Sequence, residues 1–324
     1  MVRVAADSPW ARFWHRSRPT DIVIGGYILL FAIGLVIFAP RTPSAKYLIP
    51  VHLALLAAIY LIVVHWNDRT RGIAGFIRLL YAPLLFTFLY SESRVAVHWL
   101  FPGFLDGQIV AFERYLFGVD PNVWLQAGQS PLVNEWMMLG YFAYYSLIPL
   151  LALTLFFRRR THELNVFVTA ATIVFAVSYV GFIVYPVEGP RYYLAGHFSE
   201  PLTGFVFVPL VHWVIDRAAI HGGCMPSSHV AASWVVLIWA YRTQRRMAWI
   251  LTPIILTLTV ATIWGRFHYF TDVLVGLPIG LGAVWLADYC WRAHRLPGLS
   301  RSRLEEAPAM ATAKTMGGTE RRGV

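Results

Sequence analysis

The sequence predicts an all-α protein: a polytopic membrane helix bundle of about eight transmembrane helices. Three observations carry the prediction. Hydrophobic residues make up 57% of the 324-residue chain and charged residues 14%, with a mean hydropathy of +0.56, whereas a water-soluble domain is about a quarter charged. The apolar residues gather into runs of roughly the 20 residues a helix needs to cross a bilayer, at 22–39, 47–66, 73–90, 135–157, 164–185, 228–242, 247–264 and 270–291. The basic residues between these runs alternate between rich and poor segments, as the positive-inside rule requires.

Taken in order, residues 1–21 are basic and precede an apolar run without a small-residue cleavage site, which reads as a signal anchor retained in the chain. The runs at 22–39 and 47–66 follow. The run at 73–90 is the weakest, because it holds Arg78 and Pro83. Between residues 91 and 134, FLDGQIVAFERYLFG repeats its apolar residues at helical spacing beside Asp106, Glu113 and Arg114, predicting an amphipathic helix at the membrane interface. Residues 202–215 are too short to span and carry Pro209, so they predict an interfacial or re-entrant cover. The run at 228–242 is short, which suits a helix whose Ser227/Ser228 end opens into a water-filled cavity. The tail from Pro297, rich in Ala, Gly, Pro and charge, reads as disordered and cytoplasmic.

With the amino terminus inside, 20 of the 27 Lys and Arg residues fall on the inner face, leaving Arg41, Lys46, Arg94, Arg114, Arg191, Arg217 and Arg266 outside. The net charge of +10 is therefore explained by topology; basic residues in short clusters between apolar runs do not form a nucleic-acid face.

Two stretches carry chemistry. Cys224-Met225-Pro226-Ser227-Ser228-His229 places two hydroxyls and an imidazole at the first turn of an apolar helix, where free N–H groups and the helix dipole favour an anion. Some forty residues on, Trp264-Gly265-Arg266-Phe267-His268-Tyr269-Phe270-Thr271-Asp272 holds His268 and Asp272 at i and i+4, which on a helix share one face, so the carboxylate can fix the imidazole tautomer. Both stretches and Arg191 fall on the same, outer face by the charge count.

These residues resemble the second and third motifs of the type-2 phosphatidic acid phosphatase superfamily. His268-Tyr269-Phe270-Thr271-Asp272-Val273 is more similar to the His-Tyr-x-x-Asp-Val form of the inositolphosphorylceramide and sphingomyelin synthases than to the Ser-Arg-x5-His form of the phosphatases. Thr262 stands where the phosphatase pattern has arginine. The Lys-x6-Arg-Pro motif has no counterpart at Lys46 or Lys314, and Tyr185-Pro186-Val187-Glu188-Gly189-Pro190-Arg191 resembles the segment that replaces it in the synthase-like branch.

The resemblance implies a six-helix catalytic membrane domain at 73–292, two accessory helices within 22–72, and a cytoplasmic tail at 293–324. It further implies a lipid phosphatase or phosphotransferase acting on a membrane lipid phosphate or phosphodiester, with water or an alcohol as acceptor and no cofactor. His268 would be the nucleophile, Asp272 its orienting acid and His229 the acid–base, while Arg191, Ser227, Ser228 and Arg266 would hold the phosphoryl oxygens. Glu188 could pair with Arg191, and His221 lies close to the second motif. His52, His65, His98, His162, His212 and His294 read as packing or interface residues, and Trp10, Trp66, Trp99 and Trp291 as an interfacial aromatic belt.

Two other classes fit parts of the pattern: a transporter or lipid-binding protein that uses the polar residues without chemistry, and a metal site from His229, His268 and Asp272. The spacing of Cys224 and Cys290 resembles no metal motif, and the two are too few for a disulfide framework.

Overall fold

The computed structural model describes residues 9–295, so the expected tail lies largely outside the described residues. The helices are α1 Pro9–Arg16, α2 Pro19–Ile37, α3 Ala45–Trp66, α4 Gly72–Ser93, α5 Asp106–Phe117, α6 Pro121–Trp124, α7 Pro131–Phe157, α8 Thr161–Val184, α9 Pro190–Tyr193, α10 Phe207–Ala218, α11 Ser228–Thr243, α12 Arg245–Trp264 and α13 Phe270–Arg295. The described residues contain no strand, only one parallel bridge between Val187 and Gly223.

Seven of these helices are long and apolar enough to cross a membrane: α2, α3, α4, α7, α8, α12 and α13. The sequence predicts eight; the eighth, α11, has 16 residues. At about 1.5 Å per residue it is roughly 24 Å long, some 6 Å short of a hydrocarbon core about 30 Å thick. It is nonetheless central, packed by α7, α8, α12 and α13. Its first turn, carrying His229, is thus recessed beneath the ends of its neighbours.

Close packing in the bundle rests on small residues. Gly276 and Gly280, four apart on α13, face α11 so closely that a Cβ would meet the Ser227 carbonyl oxygen at 2.7 Å and the Ala231 carbonyl oxygen at 2.6 Å. Gly140 does the same for α7 against Thr257 of α12, at 2.6 Å. Without a hydrophobic force between helices in lipid, such approach is what lets them associate.

Helix α2 is tied to the rest by buried polar groups. Arg78 of α4, the residue that weakens the third run, forks both terminal nitrogens onto the Asp21 carboxylate of α2 at 2.7 Å, and the Tyr81 hydroxyl donates to it at 2.7 Å. Asp21 also accepts the Arg18 backbone N–H at 2.7 Å, closing the first turn of α2. Trp99 and Trp291 are buried structural donors and not belt residues: they donate to Thr42 at 2.9 Å and Thr169 at 2.8 Å. His52 is buried against Phe31 and lies 3.3 Å from Glu92.

Two short helices cover the end of the bundle where α11 begins. The amphipathic segment forms α5. The expected cover forms α10, whose Pro209 sits in the first turn, where its missing N–H costs nothing. The carboxylate of Glu135, on α7, accepts the N–H groups of Phe205, Val206, Phe207 and Val208 at 2.6–3.1 Å and so anchors the start of α10.

Removing one member of the Arg78–Asp21 pair leaves a buried charge uncompensated. Arg78→Leu is therefore expected to lower stability in detergent by about 3–5 kcal/mol, while the double variant Arg78→Leu/Asp21→Leu recovers most of the loss. Thermal unfolding of the single and double variants measures the coupling.

Candidate active site

Three loops meet at the recessed end of α11: residues 185–189 after α8, 220–227 before α11, and 265–269 before α13. The Val187–Gly223 bridge joins the first two. Gly189 adopts φ +106°, and a Cβ there would approach Cys224 Sγ at 3.2 Å, so the first loop packs on the second only as glycine.

His268 lies two residues ahead of α13, not on it as its spacing suggests. It meets Asp272 because Tyr269 occupies the N-cap position and donates its backbone N–H to Asp272 Oδ2 at 2.8 Å, half of a capping box. The same oxygen accepts His268 Nδ1 at 3.2 Å and the Cys224 thiol at 2.9 Å. Asn122 holds the backbone from outside, donating Nδ2 to the carbonyls of Ile263 at 2.9 Å and His268 at 3.0 Å.

The other face of His268 meets His229. Its Nε2 is 3.4 Å from His229 Nδ1, and His229 Nε2 is 3.2 Å from the Tyr141 hydroxyl. One assignment of protons makes every link in this row a hydrogen bond: Tyr141 donates to His229, His229 to His268, and His268 to Asp272, with both imidazoles neutral. The lone pair of His268 then sits on Nε2, on the side facing His229.

Cys224 is a site residue that the sequence reading passed over. Burial, reinforced by Asp272, pushes its thiol well above the usual range, so it stays protonated and donates. Ligand atoms of Cys224, His268 and Asp272 lie within 4.8 Å of one another and are of types that a metal ion accepts. It is Cys224, and not His229, that completes this cluster, and hydrogen bonds already join its members directly.

Two carboxylates of α5 position the loops. Asp106, fully buried, accepts the N–H groups of Glu188 and Gly189 at 2.9 Å each and the Tyr269 hydroxyl at 2.8 Å. Glu113 accepts the N–H and hydroxyl of Thr271 at 2.7 and 2.8 Å. The sequence flags both as the polar side of an amphipathic helix; here they are buried and turned to the protein.

The expected phosphate ligands divide. Arg191 lines a pocket of about 60 Å³ together with Glu188, Tyr192, Cys224, His229 and His268. One of its terminal nitrogens, Nη2, donates to Asp216 of α10 at 2.6 Å, and the other, Nη1, is buried with no partner among the described residues. Glu188 does not pair with Arg191: the chain turns at Gly189 between them, and Glu188 instead meets His221 at 3.0 Å. Arg266 is not brought to the pocket. Its guanidinium lies 4.0 Å over the Phe198 ring and donates to the Glu200 carbonyl at 2.8 Å and Gln129 at 3.1 Å. Ser227 is buried as the N-cap of α11, accepting from Val230, while Ser228 faces a larger apolar cavity that His229 also lines.

A PA-phosphatase related-family protein of Dictyostelium discoideum is 24% identical over 214 residues, a match covering 59% of this chain and 37% of that protein. The chain thus spans little more than a third of that relative's length. No solved structure matches the chain. A family model described as the PAP2 superfamily matches residues 107–286, from the first turn of α5 through both histidine stretches to most of α13. Matched over more than half its length, and with His229, His268 and Arg191 lining one recessed pocket and Asp272 bonded behind His268, the chain belongs to the PAP2 superfamily.

Proposed function

We propose that this protein transfers a phosphoryl group from a membrane lipid phosphate or phosphodiester, through a phosphohistidine on His268, at the outer face of the membrane. The observation that carries the reading is the unbroken chain Tyr141–His229–His268–Asp272, which leaves a nucleophilic lone pair facing an acid–base group.

In the first step His268 Nε2 attacks phosphorus and the bond to the leaving oxygen breaks. A proton taken up from water along with the anionic substrate makes His229 an imidazolium, protonated on both nitrogens, and it gives its Nδ1 proton to that oxygen. The Tyr141 hydroxyl turns from donor to acceptor to hold the charged ring. Now neutral, His229 takes a proton from the acceptor hydroxyl, whose oxygen attacks phosphorus as the N–P bond breaks. Admitting phosphorus between the histidines requires His229 to turn on its side-chain torsions, because nitrogens 3.4 Å apart leave no room for an in-line transfer. Arg191 Nη1 and the free N–H groups of Ser228 and His229 at the start of α11 hold the non-bridging oxygens. Arg266 and Ser227 serve as loop anchor and helix cap. Water as acceptor makes the enzyme a phosphatase; a lipid or polyol hydroxyl makes it a synthase of the kind that His268–Val273 resembles. Mass spectrometry of products with and without acceptor alcohols separates the two.

Substitutions at the pair are expected to be unequal. His268→Ala abolishes turnover and the acid-labile phosphoenzyme, whereas Asp272→Asn leaves residual activity, about 10²–10⁴-fold reduced. Cys224→Ala, which removes a hydrogen bond to a charged acceptor, lowers kcat by about 10–100-fold, and Cys224→Ser restores part of it. Normal turnover in His268→Ala would sink the covalent scheme.

For the phosphate clamp, Arg191→Lys keeps the charge but loses the fork between Asp216 and phosphate, and is expected to be impaired. Arg217→Lys is nearly silent on turnover, since the contacts of Arg217, over the Trp213 ring and to the Trp213 carbonyl, lie within its own helix and away from the pocket lining. Equal rates for the two variants would make Arg191 an interfacial anchor.

Topology is read by single cysteines in a background without Cys224 and Cys290. A cysteine at Gly196, where added atoms meet open space, is expected to react with an impermeant thiol reagent on intact cells, and one at exposed Asp68 is not. The reverse pattern would turn the protein over.

A further inference from the structure

Beside the pocket lies a cavity of about 480 Å³ that shares His229, Tyr141 and Tyr90 with it. It is the gap between α4 and α7, which are both packed on α8 and held apart from one another. None of its lining residues is Asp, Glu, Lys or Arg; apart from His229 and Ser228 at one end, its walls are aliphatic, aromatic, proline and threonine side chains. On α7 the lining runs from Tyr141 to Leu153, and on α4 from Tyr90 to Phe76. At about 1.5 Å of rise per residue these are roughly 18 and 21 Å. One leaflet of hydrocarbon is about 15 Å deep. The cavity therefore holds the whole depth of a lipid chain whose polar end is at His229. Its side is open to the membrane, because Leu84 and Tyr145, on facing helices, line it and are still 62% and 42% exposed.

Resting on the phosphoryl-transfer reading above, we propose that this cavity binds one hydrocarbon chain of the substrate lipid, admitted sideways between α4 and α7, and that its floor at Phe76 and Leu153 sets the preferred chain length. The phosphate then reaches His268 with its chain still in a hydrocarbon setting. Selectivity lies in the chain as much as in the headgroup. Measured against alkyl phosphate free in water, each methylene buried along the wall strengthens binding by about fourfold until the floor is reached.

The test uses a non-hydrolysable alkyl phosphonate with a 16-carbon chain and a diazirine near its end, in phosphatidylcholine vesicles holding the full chain. Photolysis is expected to label residues between Phe76 and Pro83 and between Ile148 and Leu153, and a sixfold excess of unlabelled 16-carbon phosphonate, unlike the 6-carbon one, prevents it. Labelling confined to lipid-facing α3 and insensitive to competitor overturns the proposal. In parallel, kcat/KM across alkyl phosphates of increasing length is expected to rise and then level, and to level several carbons earlier in Ala152→Trp, which fills the lower cavity. Leu84→Trp, on the open rim, provides a second variant that does not disturb the buried core. Hydrolysis of p-nitrophenyl phosphate, which has no chain, reports His268 alone. Normal aryl phosphate turnover with a length profile unchanged in both variants rejects the chain site and leaves the chemistry intact. Labelling in the cavity without any aryl phosphate turnover rejects the chemistry and keeps the chain site.

Discussion

A carboxylate buried among apolar helices must be surrounded by donors, and Asp272 imposes that requirement on everything near it. Its Oδ2 draws a backbone N–H from Tyr269, a thiol from the loop before α11, and the imidazole of His268. Those groups come from chain segments more than forty residues apart, so satisfying one oxygen closes the two motif-bearing loops on each other. The approach is possible because Gly276 and Gly280 let α13 lie directly on the backbone of α11. His268 is consequently held by the same oxygen that stabilises the start of its helix, and its orientation is not set by its own torsions alone.

The second ring of support comes from α5. Asp106 fastens the Gly189 turn and the Tyr269 hydroxyl, and Glu113 fastens Thr271. Burial raises the Glu113 carboxyl, opposed by the Thr271 bonds. A 12-residue helix outside the spanning set thus acts as a clasp across two loops that would otherwise be joined only by short contacts. Asp216 ties Arg191 from the other side, through α10. The pocket is therefore bracketed by two non-spanning helices, one fixing backbone and one fixing a cation.

Much of the bundle was legible in the sequence, because in lipid the length and apolarity of a run are nearly sufficient to define a helix; observed boundaries fall within a few residues of the expected ones. His229, His268, Asp272 and Arg191 were legible as ionisable residues at helix ends on one face. What escaped notice depends on tertiary packing. Cys224 looked inert, since its role exists only when Asp272 arrives. Asp106 and Glu113 carried the pattern of a solvated face, and only the fold turns that face inward. Arg266 has the right residue type and the right neighbour in sequence, yet the left-handed turn at its φ of +64° accompanies a side chain docked on Phe198. The Gly276–Gly280 pair was the one readable signal left unread: small residues four apart inside an apolar run.

That glycine pair has a mechanical consequence. Because backbone meets backbone there, α13 cannot slide or roll on α11 without collision, and the two helices are geared like a rack and pinion. Gly280 stands two turns, roughly 12 Å, below Asp272. A methyl group at that depth has no room between the two backbones and pushes α13 off α11, so the packing that seats the carboxylate is set deep in the bundle, far from any substrate atom.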